Sequence, residues 1–335
     1  MLRNIADEQV KTGHDVSIIV INDIVNGELR ETLDSRIHFV CLKRKVGSRS
    51  PLHIFRLNCA IRAIAPDIIH LHYSSIARYL IDPLHRLKVC VTLHAMCTRQ
   101  NSEYLYKTKH IYAISDVVKE DIKEKTGLDS ETVYNGIKPE LIKTRKENLR
   151  SGKEIRIVQV SRLVHTIKGQ HILLKAVSQL VDKGYKSIRL DFIGEGESLE
   201  YLSGMAKEAG IENNVRFLGA QSQSYIFTHL CEYDLFVQAS LYEGFGLTVA
   251  EAMAAKVPVL VSETDGPMEV IDYGRCGYSF KNGDAEDCAD KIEMFINGRN
   301  DAGITEAAYK RVLDTFDVKV TAADYISKYK EIISQ

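Results

Sequence analysis

Short runs of β-branched and other apolar residues alternate along this chain with longer stretches in which apolar residues recur at helical spacing. That alternation predicts an α/β fold of parallel sheets covered by helices. The strands are expected at DVSIIVI, IHFVCL, DIIHLH, KVCVTLH, HIYAIS and ETVYN, then at RIVQVS, RLDFIG, VRFLG, LFVQAS, VPVLVS and GYSF. Between HIYAIS and ETVYN, Ser115 is placed to cap a helix that carries Val117 and Ile122, and Gly127 to end it. A strand-free segment from Lys138 to Glu154, dense in lysine, arginine and glutamate, predicts the interdomain linker. The chain then reads as an N-terminal domain over 1–145, a C-terminal domain over 146–315, and a final helix over 316–335 packing back towards the first domain.

The N-terminal block begins with a helix of Leu2, Ile5, Ala6 and Val10, ended by Gly13, where a domain of this kind opens with a central strand and its loop. Without that strand its two neighbours have unpaired backbone groups, which are costly when buried. The expectation is a natural chain longer by roughly 15 to 20 residues, or another segment standing in that place.

Composition narrows the class. At 335 residues, with 45% hydrophobic and 27% charged, the chain suits two ordinary domains. A formal net charge of -1 supplies no bulk field for nucleic acid, which is not an expected partner. Seven cysteines with no CxxC pair, among them Cys59, Cys90 and Cys231 inside apolar runs, predict reduced, buried thiols in a cytoplasmic protein. No run approaches the roughly 20 apolar residues of a membrane span, and MLRNIADEQV lacks the form of a signal peptide, so membrane contact is expected to be peripheral.

In open α/β sheets ligands collect beyond the carboxyl ends of the strands. After RIVQVS come Arg162 and then Lys168-Gly169, two cations at the edge of one crevice. Fixed cations of this kind stabilise a departing diphosphate without a metal ion. After LFVQAS, Glu243 precedes Gly244, Phe245, Gly246, Leu247 and Thr248, and a helix begins near Leu247 with Val249, Ala252 and Met253 facing inward. A glycine-flanked loop at a helix N-terminus is a phosphate cradle. Glu251, one turn on, can accept from a ribose hydroxyl pair, and Glu243 can face a sugar. Each feature alone is an ordinary one of loops and helix surfaces; their combination is not.

The segments SRLVHTIKGQHILLKAV, LDFIGEGE, VRFLGA and ASLYEGFGLTVAEAMAAKVPVLVSETDGPMEVI resemble the donor half of the retaining GT-B glycosyltransferases of family 4, glycosyl transferases group 1. PDIIHLHYS, VTLHA, AISDVVKEDI and VYNGI extend the resemblance over most of the chain. It implies two Rossmann-like domains facing each other across a cleft. It also implies that Arg162 and Lys168 bind the donor diphosphate, Glu251 the ribose, and Glu243 with the Gly244 to Leu247 backbone the transferred sugar. Gly194, Leu218 and Gly219 fall where the family packs main chain around the base, and His94 matches a strand-end histidine facing the sugar; His70 and His72 read as packing residues. Ser161 departs from the family's glycine before the arginine, and Lys138 from an aspartate after NGI.

The implied activity is transfer of a hexosyl group from a nucleoside diphosphate sugar to a hydroxyl acceptor, with retention, in cell-surface polysaccharide or glycolipid synthesis. No DxD-like motif sits at a strand end, so neither a metal nor another cofactor is expected. The alternatives are a non-hydrolysing sugar-nucleotide epimerase and a non-catalytic relative lacking the first strand. Lys43, Arg44, Lys45 and Arg49, followed by Arg56 and Arg62 on an apolar helix, suit a lipid-linked saccharide acceptor at an anionic membrane surface.

Overall fold

The computed structural model describes residues 1–24, 27, 30, 32–48, 50–81, 88–145, 154–298 and 302–334. The chain divides into two compact units, Ile137–Asp317 and Met1–Gly136 with Val318–Gln335.

The Ile137–Asp317 unit is one six-stranded parallel sheet built from β7 (Ile155–Val160), β8 (Ile188–Ile193), β9 (Val215–Phe217), β10 (Leu235–Gln238), β11 (Val259–Ser262) and β12 (Tyr278–Phe280). Its order is β12-β11-β10-β7-β8-β9, so the winding reverses between β7 and β10. That reversal opens a crevice at their carboxyl ends. Leu173, Val177 and Leu180 of one long helix pack with Leu202, Ala206 and Ile292 of two others against Leu190, Phe192 and Val237 of the sheet, all of them buried. The runs read as apolar throughout because both faces of this sheet are covered.

The other unit carries β1 (Ser17–Asn22), β2 (His38–Arg44), β3 (Ile69–Leu71), β4 (Val89–Leu93), β5 (His110–Ala113) and β6 (Glu131–Thr132). These do not form one sheet: β1 pairs in parallel with β2, and β3-β4-β5-β6 form a separate parallel ladder. No described strand joins the two ladders. Helix α1 (Leu2–Lys11) serves both ladders. Its Ala6 and Val10 cluster with Ile37, Val16 and Ile18, while Ile5 joins Cys90, Tyr112 and Val133. Helix α2 (Leu52–Ile64) follows β2. In α3 (Asp116–Thr126), Ser115 accepts from the Val118 amide and Gly127 ends the helix at a φ of 72°. Val118 and Ile122 are its fully buried residues, with Val117 half-buried.

Two readings need correction. The boundary lies at Gly136/Ile137 rather than at 145/146. The stretch up to Arg145 is not a free linker, because the Lys143 and Arg145 amides donate to the Phe227 and Ala255 carbonyls and Arg145 pairs with Asp234. Residues 146–153 of the expected linker lie outside the described residues. The chain returns through Asp317, which bridges to Ile137, into α4 (Val318–Ser334), whose Val318, Ala322, Tyr325 and Ile332 pack with Ile5 and Tyr112. Second, all seven cysteines are free and Cys90 and Cys231 are buried as expected, but Cys59 is exposed. Leu57, Asn58 and Ile61 are the buried residues of α2, and Cys59 stands on its other face.

Candidate active site

The reversal between β7 and β10 places their two outgoing loops side by side. After β7 the chain passes Ser161 and Arg162, makes the helical turn His165–Lys168, and enters the helix Gln170–Asp182 through Gly169. Gly169 has a φ of 64°, and a Cβ there would lie 1.7 Å from the Ala239 carbonyl oxygen just after β10. Only glycine permits that close approach, and it delivers Lys168 to the β10 loop, where its ammonium pairs with the Glu243 carboxylate. The buried Gln238 amide also donates to Glu243, at 3.3 Å. The Arg162 side chain is exposed and makes no hydrogen bond or ion pair among the described residues.

Past Glu243, Phe245 is buried edge-on against Phe316, with ring centroids 5.4 Å apart. Gly246, at a φ of 110°, starts the helix Leu247–Ala254. Its carbonyl accepts from the Val249 and Ala250 amides. Half-buried Leu247 and Thr248 therefore form a helix N-terminus that no side chain caps, a partial positive charge beside Glu243. Val249, Ala252 and Met253 are fully buried as the pattern predicts. Glu251 on the same helix is only 9% exposed, and burial pushes its carboxyl up to about 7, against a hydrogen bond to Gln223 that pulls it down.

Beside β7, Gly194 donates to the Gly219 carbonyl at 2.9 Å, and Leu218 donates to Phe192. Gly194 has a φ of 138°, and a Cβ there would sit 2.0 Å from the Ser161 carbonyl oxygen. Of the expected base-side residues, Gly194 thus stands against the main chain at the start of the cationic loop, with Gly219 hydrogen-bonded behind it.

Several residues of this site escape the sequence reading. Gln159 and Gln170, both wholly buried, donate to the main-chain carbonyls of Lys168 and Arg162, each at 2.7 Å. Both also reach the Ser161 hydroxyl, at 3.3 and 3.0 Å. The serine that replaces the family's glycine is the shared acceptor of two amides that fix the carbonyls of both cationic residues. Gly266 lies against Glu243, Gly244 and Phe245, where a Cβ would come within 2.6 Å of the Glu243 oxygen. An amide inside an apolar strand is visible in RIVQVS, but nothing local says what it faces.

In the first unit, His94 follows the last residue of β4. Its Nε2 and the Nδ1 of His72 are 2.8 Å apart, with rings stacked at 5.1 Å. Enclosure lowers His94 to about 4 and His72 to about 3, the latter also through its proximity to His94, so both are neutral near pH 7. His72 also stacks on His70 at 4.4 Å, and His70 spends both nitrogens on Tyr329 and Thr92. His70 is a packing residue, whereas His72 orients His94.

A family model described as glycosyl transferases group 1 matches residues 142–311, and one described as glycosyltransferase family 4 matches residues 1–141. The N-acetyl-alpha-D-glucosaminyl L-malate synthase of Bacillus anthracis is 26% identical over 291 residues, 80% of this chain and 75% of that protein. Among solved structures, a glycosyltransferase from Rickettsia africae superposes with a TM-score of 0.80 at 20% identity, covering 98% of this chain and 93% of its own. HepE of Anabaena, solved with UDP and glucose, gives 0.79 at 20% identity over 98% and 94%. The fold is GT-B, and with family matches that together cover residues 1–311, the chain belongs to the glycosyl transferases group 1 family.

Proposed function

We propose that this glycosyltransferase moves a hexosyl group from a nucleoside diphosphate sugar to a hydroxyl acceptor with retention of configuration. The observation that carries the reading is the meeting of Lys168 with Glu243 at the uncapped N-terminus of Leu247–Ala254. Cation and helix end suit a diphosphate, the carboxylate suits sugar hydroxyls, and Glu251 suits the ribose. Donor binding replaces the Glu243 partner of Lys168 with phosphate oxygens, and Arg162 supplies a second cation.

In the transfer step the acceptor oxygen attacks the anomeric carbon from the face the diphosphate is leaving. The bond from that carbon to the phosphate oxygen breaks, and the acceptor proton passes to the same departing oxygen. Arg162, Lys168 and the helix end stabilise the charge that develops there. No divalent ion is needed, so activity survives EDTA. The work is done in the cytoplasm, in cell-surface polysaccharide or glycolipid synthesis.

The test is incubation with a panel of nucleotide sugars, starting with UDP-glucose, and of saccharide and lipid-linked acceptors, with the product's anomeric configuration read by NMR. An inverted linkage refutes retention. An epimer formed from the nucleotide sugar alone refutes transfer, and complete loss of activity in EDTA that a divalent ion restores refutes the cation assignment.

A further inference from the structure

From Arg36 to Pro66 the sequence contains no aspartate or glutamate, although over the whole chain the acidic and basic residues balance. The structure gathers part of this stretch into a surface. Near the end of β2, Lys43 has a φ of 52°. Arg44 then donates to the Ser48 carbonyl at 2.7 Å and to Asn22 at 3.4 Å, fastening the loop to the strand. On α2, Leu57, Asn58 and Ile61 are buried, and Asn58 donates to the Ile54 and Tyr79 carbonyls at 2.8 Å each. The orientation of α2 is thereby fixed, and its outward face carries Leu52, Phe55 and Arg56.

Exposed apolar residues lie on that face and on the loop that leads to it. Val46 is 66% exposed, Leu52 48% and Phe55 65%, and exposed Lys43, Lys45 and Arg56 stand among them. Arg49, in the same loop, lies outside the described residues. Large apolar side chains grouped on a surface mark an interaction site. Here Asp23, whose amide donates to the Arg44 carbonyl, is the acid beside a group that carries three exposed cations, and long basic side chains can reach past an apolar layer to keep their charge in water.

We infer that this surface docks on an anionic lipid bilayer. Val46, Leu52 and Phe55 enter the boundary between headgroups and acyl chains, and Lys43, Lys45 and Arg56 lie at the level of the lipid phosphates. A soluble polyanion would engage the cations and leave the three apolar side chains in water, so a bilayer accounts for both halves of the pattern. The inference names the surface for the peripheral contact, and it does not depend on the chemistry proposed for the second unit.

The chain contains no tryptophan, so Phe55→Trp creates a single fluorescent probe at the centre of the surface. Its emission should shift to the blue with vesicles of phosphatidylcholine and phosphatidylglycerol, be quenched by brominated acyl chains, and stay unchanged with phosphatidylcholine alone. In sedimentation, Lys43→Asn, Lys45→Gln and Arg56→Gln combined should weaken partitioning roughly a hundredfold, at roughly fivefold per cation. Leu52→Ser with Phe55→Ser should lower it at least tenfold, as loss of two exposed apolar contacts implies. Unchanged emission overturns the inference. So does a serine variant that binds anionic vesicles as the wild type does, which would mean simple adsorption of a polycation. Thermal melts and nucleotide-sugar binding by the same variants show that the fold and the second unit are intact, so a negative result here is separable from failure of the transferase reading.

Discussion

The Glu251 carboxyl is held at about 7 by burial, against 4.5 for an ordinary glutamate. That difference amounts to about 3 kcal/mol against the charged form. A ribose diol is held best by the ionised carboxylate, which accepts through both oxygens. At pH 6 about a tenth of the protein has Glu251 ionised, and at pH 8 about nine tenths, so affinity for an intact nucleotide sugar should strengthen about tenfold over that range. The free diphosphate is a poor probe, since a terminal phosphate itself titrates near pH 6, at roughly the same place. Stability runs the other way. The folded state keeps a proton that the unfolded chain releases, so the stabilisation is full below 4.5 and is lost as pH rises through about 7. Isothermal titration calorimetry of the nucleotide sugar at several pH values, on the wild type and on Glu251→Gln, is the assay. The variant should bind weakly and without the inflection near 7. An affinity that is flat from pH 6 to 8, or a Glu251→Gln protein with the wild-type profile, would refute both the ribose role and the link between burial and binding.

Arg162→Ala and Lys168→Ala should each lower kcat about 10² to 10³-fold, as loss of a charge stabiliser does; near-wild-type turnover in both, measured with saturating donor, removes the proposed mechanism. Ser161→Gly, which restores the family's residue, should lower kcat several-fold, about the value of one buried hydrogen bond, without moving the melting temperature by more than a few degrees. Gly169→Ala drives a Cβ to within 1.7 Å of the Ala239 oxygen and should destabilise the fold by more than about 2 kcal/mol. Gly127→Ala, at a similar φ of 72° with nothing within 4 Å, should cost only about 1 kcal/mol; equal melting temperatures for the two would show that the contact at Ala239 does not matter.

Every expected strand forms, because a run such as RIVQVS or VPVLVS carries its β preference and its burial on both faces in its own composition. The same holds for Ser115 and Gly127, whose capping roles depend on residues within one turn. The positions of Arg162, Lys168, Glu243 and Glu251 after their strands were legible for that reason, together with their likeness to a known family. What the sequence could not decide is what those residues touch. Lys168 and Glu243 are 75 positions apart and meet because the sheet order sets β7 beside β10. Gln159 and Gln170 become clamps on the cationic loop only once their amides are buried against its carbonyls, and Cys59 turns outward only because Asn58 and Ile61 turn α2 inward. The strands of the first unit fall into two separate ladders, and the chain crosses between units at Gly136 rather than in its most charged stretch. Periodicity and capping are local and survive in any folded context. Contact, burial and the proton affinity of Glu251 arise from groups brought together across the chain, and only the tertiary structure sets them.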